Sequence, residues 1–254
     1  MLGGNVATPE FAIDRVSPRK PRKPARYFFL GMATLAVFLL ALAFVPEFVK
    51  FAHGTFPIPW ILHVHAAIMA SWVAAFVVQA WLGATGRSAL HRRIGPYAIA
   101  IGWLAWASMI FVEFRALLVH PLPTDIRDYD WNLPGPYVYV TFAIFLAWAV
   151  HERRRPAWHK RLMTFALFLS LLAGIQRYLW IPIDYGYGPF AAVLDASLLV
   201  PLAGYDLYTL KGRLHPATIR GVAVLAASQA ILFALWGTEL WRNFAASIAH
   251  AVHG

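Results

Sequence analysis

Two histidines, His91 and His159, stand at the centre of near-copies of one phrase, Arg87-Ser-Ala-Leu-His91-Arg-Arg-Ile94 and Arg155-Pro-Ala-Trp-His159-Lys-Arg-Leu162. An imidazole can act as a metal ligand or proton carrier near neutral pH. Two of them at similar depth on facing helices make the ligand set of a b-type haem. The arginines two positions on, Arg93 and Arg161, would then hold an anionic part of the cofactor, such as a haem propionate. His91, His159, Arg93 and Arg161 are therefore the candidate cofactor-binding residues, and haem b is the candidate cofactor. His151, next to Glu152, is a spare candidate ligand. The competing reading gives the basic residues a topogenic role against lipid phosphate and the histidines an interfacial one.

A second set is scattered along the apolar runs: His65, Glu113, Asp195 and Glu239. Ionisable groups within or beside membrane spans are costly, so they face the bundle interior or a watery cavity. As a set they would serve as metal ligands or proton carriers in a pocket. Their competing reading is mutual neutralisation, with Arg177 forming a structural ion pair with Glu113 or Asp195. His63 lies roughly 200° around a helix from His65, so the two do not easily bind one ion. Gln79 and Asp206 lie toward the opposite half, where either would suit a polar network leading to the repeated phrase.

Other chemistries are excluded. The chain has no cysteine, which removes disulfides, iron–sulfur clusters and thiolate metal sites. It also lacks a phosphate loop, a His-Glu-x-x-His zinc motif and a serine nucleophile elbow.

The elements that must position these groups are read from hydropathy. Hydrophobic residues make up 60% of the 254-residue chain and charged residues 13%, with a mean hydropathy of +0.57; soluble domains carry roughly 25% charged residues. This composition predicts an all-α, polytopic membrane helix bundle. Seven apolar runs, near 27–50, 59–84, 93–117, 135–151, 160–182, 189–209 and 217–244, reach the ~20 residues needed to cross a hydrocarbon core.

Seventeen of the twenty-two Lys and Arg fall in the N-terminal arm and the turns on its side, while eight of the twelve acidic residues fall on the other. The positive-inside rule then predicts an N-in, C-out topology in the bacterial inner membrane. The net charge of +10 is spread over short loops and forms no single patch, so no nucleic-acid partner is expected. The expected organisation is a basic flexible cytoplasmic arm over 1–26, a seven-helix transmembrane domain over 27–247 and a short extracytoplasmic tail over 248–254. Helices two and three, and helices four and five, read as a duplicated hairpin in one orientation, with its pseudo-axis along the membrane normal. The third pair turns on Lys211-Gly-Arg213-Leu-His215-Pro, a poorer match.

At the second phrase the chain resembles a bacterial family of predicted multi-spanning membrane proteins that carries a domain of unknown function. That family has an early helical histidine, then His-Arg-Arg-Leu-Gly, then His-Arg-Arg-Trp-Met with an arginine about fourteen residues beyond. The matching positions are His65 or His63, His91-Arg92-Arg93-Ile94-Gly95, His159-Lys160-Arg161-Leu162-Met163 and Arg177, with departures at Ile94, Lys160 and Leu162. The resemblance spans roughly helices two to five and implies which residues matter, without an activity to carry over. A more distant likeness, to the four-helix core of the ascorbate-linked b-type cytochromes, is an analogy of fold.

These features predict a cofactor- or lipid-binding accessory or redox subunit of a membrane complex. Its expected partners are the lipid bilayer, anionic lipid head groups and other subunits of that complex. The alternative is a small-molecule or proton-coupled transporter or sensor with a periplasm-facing histidine and carboxylate site.

Overall fold

The computed structural model describes residues 23–54, 58–119, 122–175, 196–197 and 199–253. Among them no strand occurs. The helices are α1 (Lys23–Ala52), α2 (Trp60–Thr85), α3 (Ser88–Val119), α4 (Pro134–His151), α5 (Pro156–Leu169), the single turn α6 (Leu172–Ile175), α7 (Val200–Thr209), α8 (Pro216–Leu235) and α9 (Glu239–His253). Two 3-10 turns, Ile126–Asn132 and Glu152–Arg154, flank α4.

Among the described residues, five segments are long and apolar enough to cross a membrane: 26–52, 60–85, 88–116, 126–154 and 216–235. The outward sides of α1, α2, α3 and α8 carry exposed Phe38, Phe48, Val78, Leu104, Phe111 and Ile231. An apolar surface this extensive belongs against hydrocarbon, where only structures with internally satisfied backbones are stable. Of the seven expected runs, the fifth and sixth fall partly on 176–195, outside the described residues. The seventh, expected as one helix over 217–244, is two. It stops at Leu235, turns through Gly237 at φ +78° and restarts at Glu239. The reason is periodicity: beyond the turn, polar residues appear at helical spacing, and α9 buries only the face of Trp241, Ala245 and Ala249. Such a helix suits an interface better than a span.

Two differently built corners hold the hairpins. α2 ends in a Schellman motif, with Gly86 at φ +78°, the Gly86 N–H on the Gly83 carbonyl and the Arg87 N–H on the Leu82 carbonyl. Glycine takes that left-handed conformation without a Cβ penalty, so α3 starts two residues later. α4 instead runs into the Glu152–Arg154 turn, and Pro156 opens α5 at the position where its missing N–H costs nothing.

The core centres on α5, whose Leu162 and Phe165 to Leu169 are buried, with α1, α4 and α8 packed around it. Phe145 of α4 stacks on Phe165 at 4.7 Å between ring centroids. α8 approaches through Gly221, where a Cβ would lie 2.5 Å from Phe165 Cε2; α3 approaches α2 through Gly102, where a Cβ would lie 2.8 Å from Trp72 Cζ3. Small residues at such crossings let helices pack closely where lipid gives no hydrophobic driving force between them.

The end of the bundle away from the repeated phrase is capped by α9 lying on the 126–132 turn. Arg242 pairs with Asp130 at 2.7 Å, and Trp241 Nε1 donates to the Tyr129 carbonyl at 2.9 Å. The turn is itself capped by Asp125, which accepts from the Arg127 backbone N–H at 2.9 Å and from its guanidinium. Arg127 holds the Asp125 carboxyl down at about 2.

Candidate cofactor site at the histidine corner

The Gly86 and Pro156 corners place His91 and His159 in the first turns of α3 and α5, and the packing of the hairpins brings the rings together. Their centroids are 6.3 Å apart and their planes 84° to one another. Each imidazole is anchored to the helix before its own: His91 Nδ1 lies 3.3 Å from the Gln79 carbonyl and His159 Nδ1 lies 2.8 Å from the Ala149 carbonyl. A carbonyl only accepts, so Nδ1 carries the proton in both contacts. In the neutral ring Nε2 is then the atom with a lone pair. This arrangement orients a metal-binding histidine in many sites. Gln79, whose carbonyl anchors His91, also has a side-chain amide with both Nε2 and Oε1 buried and no hydrogen-bond partner in the described structure. A buried amide normally finds one.

The two arginines of the phrases have different surroundings. Arg161 is buried and ion-pairs with Asp206, on the last turns of α7; its Nε donates to Oδ1 at 3.0 Å, its Nη2 donates to the same oxygen, and its Nη1 donates to the Ala157 carbonyl at 2.7 Å. Asp206 Oδ2 accepts from the Thr218 hydroxyl at 2.5 Å and from the His215 backbone N–H at 3.0 Å. One carboxylate thus joins α5, α7 and the start of α8. Arg161 is therefore engaged within the protein, whereas Arg93 is exposed. Asp206 does belong to a polar network at this corner, as its depth in the sequence suggests. Its partners Arg161 and Thr218 lie 45 and 12 residues away, too far for any local pattern to pair them.

Aromatic rings and cations surround this network. Lys160 Nζ sits 4.5 Å from the centre of the Phe29 ring and 5.7 Å from that of Tyr205. Arg220 lies over Trp158 at 5.4 Å, and Trp158 meets His215 at 5.8 Å. His215 caps α8 by an unusual route, its Nδ1 accepting from the Ala217 N–H at 3.0 Å. That requires a neutral ring, and burial together with the nearby Arg161 cation holds the His215 pKa below its usual value. His151 is exposed at the end of α4. None of the Lys160 and His215 contacts is legible in the sequence, because Phe29, Tyr205 and Trp158 read there as ordinary apolar positions.

At the other end, the second set is not assembled in the described residues. His65 Nδ1 lies 3.1 Å from Ser108 Oγ, whose hydroxyl donates to the Ala105 carbonyl at 2.7 Å, so His65 is the donor to Ser108. This pair borders an apolar cavity of about 220 Å³ between α2 and α3. Glu113 lies against the first turn of α4, where a Cβ on Gly135 would come within 2.8 Å of its carboxyl. Glu239 opens α9 and is exposed, and His63 packs edge-on to Phe51 at 5.0 Å. Asp195 and Arg177, and with Arg177 the expected ion pair to Glu113, lie outside the described residues. Among the described residues no group of three or more His, Asp or Glu is placed to hold a metal ion.

Comparison with known proteins adds no relative: no family model, curated protein or solved structure matches the chain.

Proposed function

We propose that the chain is a cofactor-carrying subunit of a redox complex in the bacterial inner membrane, with His91 and His159 as the two protein ligands of one metal centre at its cytoplasmic end. A b-type haem is the form to test first. The observation that carries the reading is the matched pair of imidazoles, each with Nδ1 committed to a carbonyl of the preceding helix and the rings 6.3 Å apart. His91 and His159 would hold the group through Nε2, the ring atom that their carbonyl contacts leave with a lone pair.

A bound haem would supply one-electron chemistry. The protein's part is to fix both ring orientations through the two carbonyls and raise the basicity of Nε2. Arg93, exposed, and the partnerless Gln79 amide are the polar groups available to a cofactor's periphery. Arg161 contributes by holding α5, α7 and α8 in register. The parallel anchoring of His91 and His159 supports the hairpin duplication.

The test is an absorption spectrum with metal analysis on the detergent-purified chain, repeated for His91→Ala and His159→Ala. A Soret band, or one equivalent of metal, lost in both variants is expected. A colourless, metal-free wild-type protein that takes up neither haem nor metal on titration would overturn the proposal. The transporter or sensor reading draws its support from the His65 and Ser108 pair beside the 220 Å³ cavity; it requires that transport or signalling fail in His65→Ala while the spectrum is unchanged.

A further inference from the structure

Lys160 has an ammonium with three N–H donors, half-buried in the first turn of α5. Its described neighbours are aromatic: Phe29 of α1 at 4.5 Å and Tyr205 of α7 at 5.7 Å. These rings offer the cation their faces and accept none of its hydrogen bonds in the usual sense. Asp206 is the carboxylate that influences Lys160, and it is already taken by Arg161, Thr218 and the His215 N–H. Among the described residues, none forms a hydrogen bond or ion pair with the Lys160 ammonium. Arg161, the next residue, lies over the same Tyr205 ring at 5.6 Å, its own charge balanced by Asp206.

A cation so placed wants an anion from beyond the described residues. The first turns of α1 and α5 carry no acidic residue to supply one. Phe28 and Phe29 pack on Tyr205 at 4.3 and 5.3 Å, so the cage lies where α1, an apolar membrane-length helix, begins. There an anion with an attached acyl chain would find its charge beside Lys160 and its tail along the exposed side of α1.

We infer that Lys160, caged by Phe29 and Tyr205, is a binding site for the phosphate of an anionic phospholipid. Phosphate oxygens would accept the ammonium's free donors, and the rings would exclude water from the contact. The site does not depend on the histidine pair holding a metal, since it uses neither imidazole.

The test is native mass spectrometry of the full chain released from nanodiscs containing phosphatidylglycerol and phosphatidylcholine, for wild type, Lys160→Ala and Lys160→Arg. Wild type is expected to retain phosphatidylglycerol in preference to phosphatidylcholine. Lys160→Ala should lose that preference about fivefold, the size expected for one basic residue at an anionic surface, and Lys160→Arg should keep it. Inorganic phosphate added in excess should leave retention unchanged; full displacement by phosphate would assign the site to the free ion and overturn the lipid assignment. Equal retention by wild type and by a Lys160→Ala variant with unaltered helical circular dichroism and melting would overturn the site itself. The optical and metal measurements on the same samples report separately on His91 and His159.

Discussion

Replacing Asp206 with Asn keeps the side chain's shape and removes the charge that Arg161 faces. In the native protein the carboxylate receives two bonds from Arg161, one from the Thr218 hydroxyl at 2.5 Å and one from the His215 N–H at 3.0 Å. Both partners of the ion pair are buried, with side-chain exposures of 4% and 0%. Loss of one partner of such a pair strands the other charge and costs about 3–5 kcal/mol. For a chain of this size that is a fall in melting temperature on the order of 10 °C. The assay is thermal unfolding in detergent, followed by helical circular dichroism.

The double variant Arg161→Met, Asp206→Leu sharpens the prediction. It removes both charges together, so what remains is mainly the Thr218 hydroxyl and the His215 N–H left without their acceptor, about 1–3 kcal/mol for each such group when buried. The double variant should therefore lose less than Arg161→Met and Asp206→Leu added together, and a coupling energy of several kcal/mol should emerge from that cycle. If Asp206→Asn melts like wild type, or if the double variant loses the sum of the two single losses, the corner is not held as described.

Two further outcomes test the packing and the α8 cap. Gly221→Leu drives a side chain into Phe165, whose Cε2 already lies 2.5 Å from the Cβ position; overpacking should cost about 1–3 kcal/mol, and a melting temperature equal to wild type would refute the close α5 and α8 crossing. His215 binds fewer protons folded than unfolded, because its pKa is lowered on folding. Its contribution is complete above about pH 6.5 and is lost as pH falls through the folded value. Protection of the Ala217 amide against hydrogen exchange should fall over that window in wild type and stay flat in His215→Asn, which caps without titrating; parallel profiles would show that His215 is not the cap.

The amino-acid sequence by itself determined that the chain is helical and built to meet hydrocarbon. Long apolar runs can satisfy their backbones in that solvent only as helices, and five described segments have that length and composition. It also set the two histidines at the starts of helices, because Gly86 and Pro156 act within a few residues of them. Those are local effects, legible in a single pass.

Tertiary structure decided what the repeated phrase became. Arg93 and Arg161 occupy the same place in it, yet one is exposed and the other is locked to Asp206. The difference arises because α7 and α8 pack against the second copy, and nothing near either arginine encodes it. The 6.3 Å meeting of His91 and His159 and the aromatic cage of Lys160 likewise depend on helices far apart in the chain lying side by side. Helix ends are written in short-range geometry. The company a charged side chain keeps depends on which helices the whole bundle brings together, and desolvation makes that company count.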